Sequence, residues 1–174
     1  MRGWICGAAL LAAGLGAPAG WAQESTNRVA AETDWSVFVE SDPKECWGVS
    51  APKSSVNTRG GETVSVQRGD TLLFIAYRPG AGVAGEVSFT GGYPFADDST
   101  VTMAVGDESY ELFTEGEWAW PATGEDDARI LAAMQRGAEA VLTGRSGRGT
   151  QTQDTFSLMG FSAALKEAGE RCAG

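Results

Sequence analysis

TLLFIAYR, residues 71–78, is apolar without a break from position 72 to position 77. An unbroken run of that length predicts a strand at the centre of a sheet, covered on both faces. The segments on either side read as its neighbours. Upstream, DWSVFVE at 34–40 alternates, with Trp35, Val37 and Val39 on one face. A turn at Asp42-Pro43-Lys44 leads to a second strand over 45–50, which carries Cys46. A Pro- and Gly-rich loop and a short strand over 63–67 separate it from the central run. Downstream, 86–90 alternates again, and 100–105 and 108–114 form a hairpin around Gly106-Asp107, a favoured two-residue turn.

A helix follows. Thr123 or Asp126 caps it, Glu125, Asp126 and Asp127 occupy its first turn, and Gly137 stops it. Ile130, Leu131 and Met134 form its buried stripe. Two more strands, 139–143 and 150–156, flank the turn GRSGRG, and a second short helix ends the chain. Eight or nine short strands with only two short helices predict a mostly β fold, an antiparallel β-sandwich forming a single domain over 34–174.

The N-terminal residues predict a compartment. Arg2 precedes an apolar stretch of Ala, Leu and Gly, and Gly20-Trp21-Ala22 places small residues three before and one before a cut after Ala22. This reads as a removable signal peptide over 1–22, followed by a polar, mobile lead-in over 23–33. The run is too short, and too broken by Gly and Pro18, for a membrane anchor, and no later segment reads as a transmembrane span. The expected localisation is therefore the periplasm or the medium. Cys6 leaves with the leader, so Cys46 and Cys172 remain. Phe161, Leu165, Ala168 and Cys172 share one helical face, which turns the sulfur toward the core. In an oxidising compartment the expectation is a Cys46–Cys172 disulfide tying down the C-terminal helix, rather than a metal ligand, a nucleophile or a stray thiol.

Charge and composition remove whole classes of function. The formal charge is −10, and the leader holds one of the thirteen basic residues, so the mature protein would carry −11. Such a surface repels nucleic acid and anionic lipid, and no nucleic-acid partner is expected. The chain has no histidine. Ser-His-Asp and Cys-His catalysis and His-bearing zinc sites are therefore excluded, and no catalytic residue, metal site or cofactor is expected.

Four motifs bear on function. Gly80-Ala81-Gly82-Val83-Ala84-Gly85 matches a dinucleotide-binding pattern, but a strand follows it where that chemistry needs a helix N-terminus. Arg68-Gly69-Asp70 is a tripeptide that integrins read, and it reads equally as a turn entering the central strand. Asp97-Asp98, Asp107-Glu108 and Glu111 offer carboxylates, but in no spacing that converges on a hydrolase pair or a calcium loop. Glu117-Trp118-Ala119-Trp120-Pro121 is different: in a strand Trp118 and Trp120 project on one face, as a ligand-stacking platform would, or else pack under the helix that follows.

The segments DWSVFVESDPKECWGVSAPK, RGDTLLFIAYRPG, FTGGYPF, EGEWAW and DTFSLMGFSAALKEAGERC occur in an order that resembles the invasion-associated locus B family of bacterial exported proteins, across residues 34–172. The resemblance implies an immunoglobulin-like β-sandwich, an exported protein and a role in bacterial entry into host cells. It carries over no catalytic residues. The expected function is a non-enzymatic binding or accessory protein of the cell envelope, with a protein or glycan partner. The alternative is a carbohydrate-binding or carboxylate-dependent carbohydrate-active module using Trp118 and Trp120.

N-terminal sequencing of the exported protein is expected to begin at Gln23 or within a few residues of it. Intact Met1 on folded cytoplasmic protein would overturn the reading of the leader.

Overall fold

The structure, a computed structural model, describes residues 27–173. The leader at 1–22, and positions 23–26 of the lead-in, lie outside the described residues. Twelve strands form one hydrogen-bonded antiparallel sheet. In chain order they are β1 (Arg28–Glu32), β2 (Trp35–Ser41), β3 (Lys44–Ser50), β4 (Ser54–Arg59), β5 (Glu62–Thr63) and β6 (Leu72–Arg78). Then come β7 (Val83–Thr90), β8 (Thr100–Val105), β9 (Glu108–Glu115), β10 (Trp118–Trp120), β11 (Glu139–Arg145) and β12 (Gln151–Ser157). Across the sheet the order is β1-β2-β3-β6-β7-β10-β9-β8-β11-β12-β4-β5. Helix α1 (Gly124–Arg136) lies between β10 and β11, and α2 (Phe161–Ala173) ends the chain.

The mostly β, antiparallel composition with two helices is the one the sequence predicts. The arrangement is not two separate sheets, so the immunoglobulin-like sandwich is not confirmed. Each strand twists right-handedly, and a sheet of this many strands curls rather than staying open. Here the curl brings β7 opposite β12: Phe89 meets Phe156 edge-on with ring centroids 6.0 Å apart. Leu73, Ile75, Val87, Leu112, Met103 and Leu142 fill the space between the facing halves, all fully buried.

The helices close the open sides. Thr123 caps α1 by accepting the Asp126 N–H, and Gly137 follows its last residue. Ile130, Ala133 and Met134 turn inward, with Leu131 half-buried. Helix α2 packs over β1, β2, β3 and β6. Its Phe161 ring stands edge-on to Trp35 at 5.1 Å. At its far end Cys172 is bonded to Cys46 of β3, with Cα atoms 5.8 Å apart. The link spans 126 positions, and in the chain-entropy account a loop of that size is worth about 4–5 kcal/mol.

A second tie closes the curl itself. Arg68, in the segment before β6, forms a two-pronged ion pair with Asp154 of β12: Nη1 to Oδ1 is 2.9 Å and Nη2 to Oδ2 is 2.7 Å. The remaining N–H groups go to Gly91 O, Asn57 Oδ1 and Thr71 Oγ1, so all five guanidinium donors are satisfied. Ser55 donates a third bond to Asp154, and the Tyr93 ring lies 5.3 Å from the guanidinium carbon. The backbone must come close for this to happen. Gly69 N–H donates to Gly92 O, and a Cβ at Gly92 would sit 2.5 Å from the Gly69 carbonyl oxygen.

Several expectations are corrected. Positions 28–32 of the expected mobile lead-in form β1, paired with β2. The strand expected over 63–67 shrinks to β5, and the loop expected before it holds β4. Strand β4, SSVNTR, has no apolar alternation to reveal it; it is held through its main chain, by pairing with β12. Strand β6 is central but not covered on both faces. Leu73 and Ile75 are fully buried on the inner face, while Phe74 and Ala76 on the other are only half-buried.

The buried pair gives a direct test. Asp154→Ala leaves the Arg68 charge uncompensated and is expected to cost about 3–5 kcal/mol in denaturant unfolding. The double change Arg68→Met with Asp154→Leu is expected to cost less than Asp154→Ala alone.

Candidate functional site

Strand β10 sits between β7 and β9 and places Ala119 in the core. By strict alternation Trp118 and Trp120 then stand together on the outside of the sheet. Trp118 is 39% exposed, which removes the alternative that it packs under the following helix. The two indoles are near parallel, 20° apart in plane, with centroids separated by 6.4 Å.

They do not stand alone. Phe74 of β6 lies 5.7 Å from Trp118, and Phe113 of β9 lies 5.5 Å from Trp120. Beyond β6, Trp47 of β3 pairs in register with Ala76 and stacks on Phe38 of β2, 8° from parallel at 5.6 Å. Six aromatic side chains thus occupy the outer face of β2, β3, β6, β10 and β9, with β7 running between. Trp47, Phe74, Trp118 and Trp120 line a groove of about 430 Å³ with the short side chains of Ala76 and Ser88 in it. An adjoining hollow of about 420 Å³ continues past Trp120 and Phe113 to the start of α1.

Charged groups rim this band. Glu86 pairs with Arg78 at 2.5 Å. Glu45 borders the groove, and Glu115, opposite Trp118 in register, borders the hollow. Neither is ion-paired among the described residues. Asp127, also on the hollow, accepts the Val87 N–H at 2.8 Å, which attaches α1 to β7. Burial pushes its carboxyl above the ordinary range, with Glu86 and Asp126 adding in the same direction and the Val87 bond opposing. Asp126, one residue earlier, is held below that range by Thr123 and then by Arg129.

The other sequence motifs resolve into structure. Cys46 and Cys172 form the disulfide described above, with an S–S distance of 2.13 Å. Arg68 of the Arg-Gly-Asp tripeptide spends its whole guanidinium on the buried Asp154 knot and offers nothing to an integrin. The glycine-rich stretch at 80–85 is one 3₁₀ turn running directly into β7. Asp97, Asp98 and Asp107 lie in turns, and Glu108 pairs with Arg136 and Tyr110. Among the described residues no cluster of three acidic or cysteine side chains could hold a metal.

Sequence reasoning finds Trp118 and Trp120 but misses Phe38, Trp47, Phe74 and Phe113. A signal is present in β3, where Trp47 alternates with Cys46 and Gly48, both buried. It is obscured in β6 because residues on both faces are apolar.

A family model described as "Invasion associated locus B (IalB) protein" matches residues 80–169, just over half of the chain. The chain belongs to the invasion-associated locus B family. The matched segment runs from the turn before β7 into α2, and it includes Glu86, Phe113, Glu115, Trp118 and Trp120. Neither cysteine of the disulfide, nor Trp47 or Phe74, falls within it. No curated protein and no solved structure matches the chain. Among the described residues no helix is long and apolar enough to cross a membrane.

The contrast between faces predicts a stability difference. Trp118→Ala is expected to cost under about 1 kcal/mol in thermal unfolding, as an exposed substitution should. Trp35→Ala, in the core, is expected to cost about 3–5 kcal/mol.

Proposed function

We propose that this member of the invasion-associated locus B family is an exported, non-enzymatic binding protein of the bacterial cell envelope, periplasmic or released, and that it binds through the outer face of its sheet. The observation that carries the reading is the band of six aromatic side chains on neighbouring strands, one of whose indoles is more than a third exposed. Holding apolar rings in water is unfavourable, and rimmed apolar surface of this kind marks interaction sites. The rings sit on paired strands rather than on loops, so a ligand meets a surface that is already formed. The leader and the disulfide support export, and the family name supports contact with a host surface.

A second reading is favoured by one observation. The near-parallel indoles of Trp118 and Trp120 present flat faces suited to stacking on sugar rings, and the carboxylates of Glu86, Glu115 and Asp127 lie in the adjoining hollow. On that reading the partner is a glycan.

Titrating soluble peptidoglycan fragments, host-type oligosaccharides and short peptides against indole fluorescence tests the face. A true ligand is expected to change the emission and to bind at least about tenfold more weakly to Trp118→Ala and Trp120→Ala. A ligand bound equally well by the double alanine variant would overturn the placement of the site. Release of sugar product would overturn the non-enzymatic reading.

A further inference from the structure

Resting on the reading of this face as a binding surface, the charge pattern points to the class of ligand. We propose that the aromatic band receives an extended basic polypeptide, its arginine or lysine side chains lying on the indoles and ion-pairing with Glu45 and Glu115.

The dimensions suit a peptide. From β2 to β9 the band crosses five inter-strand gaps, about 24 Å at the usual strand spacing, which an extended chain of about seven residues spans. The charges select its sign. Glu45 and Glu115 stand at the band without an ionic partner among the described residues, and Arg78 at the groove already serves Glu86. Glu40 and Glu45 oppose each other directly across β2 and β3, a like-charge pair that costs stability and that a bound cation would relieve. Asn27 donates a hydrogen bond to Glu40.

A second copy of the chain fits poorly. Face-to-face pairing would bring these carboxylates against one another in a protein of charge −10. A cation on an indole face beside a carboxylate is instead doubly favoured, by the ring quadrupole and by ion pairing. The fold uses the same combination internally, where Arg68 lies over Tyr93 and pairs with Asp154. The overall negative field would also steer a basic chain toward the surface from a distance.

The experiment uses an eight-residue peptide of alternating arginine and serine, its citrulline counterpart, which keeps the planar group without the charge, and a neutral oligosaccharide. Calorimetry and indole fluorescence are read on the full mature protein. The arginine peptide is expected to bind with a change in indole emission, about tenfold or more tighter than the citrulline peptide, and to weaken by at least about tenfold as salt rises from about 0.05 to about 0.5 M. The Glu45→Gln, Glu115→Gln double variant is expected to lose about tenfold. Glu170→Gln, on the exposed side of α2, is expected to bind as the parent does.

Equal binding of the arginine and citrulline peptides would overturn the proposal. So would arginine-peptide binding that survives Trp118→Ala, which would show adsorption to the acidic surface only. If only the oligosaccharide binds, and Trp118→Ala abolishes it, this inference fails while the binding face stands. If no probe alters the indoles and light scattering shows a dimer that Trp118→Ala dissolves, the face is a self-association surface and both readings fall.

Discussion

The closing of one sheet upon itself is the constraint on which the rest of this structure depends. A single antiparallel sheet has one face to bury, and without a second layer its inner residues would meet water. The curl supplies that layer by setting β7 against β12, with Phe89 on Phe156, and the two helices cover what remains open. The Arg68–Asp154 knot holds this arrangement where the halves meet. Its arginine comes from the approach to β6 and its aspartate from β12, while Ser55 and Asn57 come from β4. A buried charge pair is a costly device, because desolvation offsets much of the attraction. Here every guanidinium donor finds an acceptor, so the pair fixes a single closure without leaving an unsatisfied group in the core.

The same closure creates the candidate site. Inward residues of β3, β6, β7, β9 and β10 are consumed by the core and by α2, so the alternating residues of those strands must face out. On β8 that outward set includes Thr100 and Thr102, an ordinary solvated surface. On each of β2, β3, β6, β10 and β9 it includes an aromatic ring. The disulfide bears on this indirectly. Cys46 anchors α2 on the inner side of β3, while the neighbouring Trp47 stands on the outer side with Phe38. Strand β3 thus carries the disulfide on its inner face and part of the aromatic band on its outer face. The fold therefore separates two kinds of feature: the disulfide and the charge knot lie within, and the aromatic band lies on the outer face.

Much of this is legible in the amino-acid sequence. Helix α1 is marked by Thr123, the acidic first turn and Gly137, because caps act within one turn of chain. The hairpin at Gly106-Asp107 and the strand of Trp35 and Val37 are equally local. The disulfide follows from counting cysteines once export is inferred. Strand β4 escapes such a reading because SSVNTR is polar apart from Val56, and main-chain pairing to β12 rather than buried side chains holds it. Arg68-Gly69-Asp70 looks like a recognition motif because its partner, Asp154, lies 86 positions from Arg68.

Local pattern is enough to say which segments are helices and most of the strands, that Trp118 and Trp120 share a face, and that Cys46 and Cys172 pair. These rest on periodicity, on capping and on elimination, which need only near neighbours or a count. Tertiary contacts alone settle that twelve strands make one curled sheet, that within 72–77 only Leu73 and Ile75 are fully buried, and that Phe38, Trp47, Phe74 and Phe113 join the two indoles. An unbroken apolar run carries no period to tell inside from outside. Its outer face joins an aromatic band because of which strands were laid beside it, and that order is set by contacts between residues far apart in the chain.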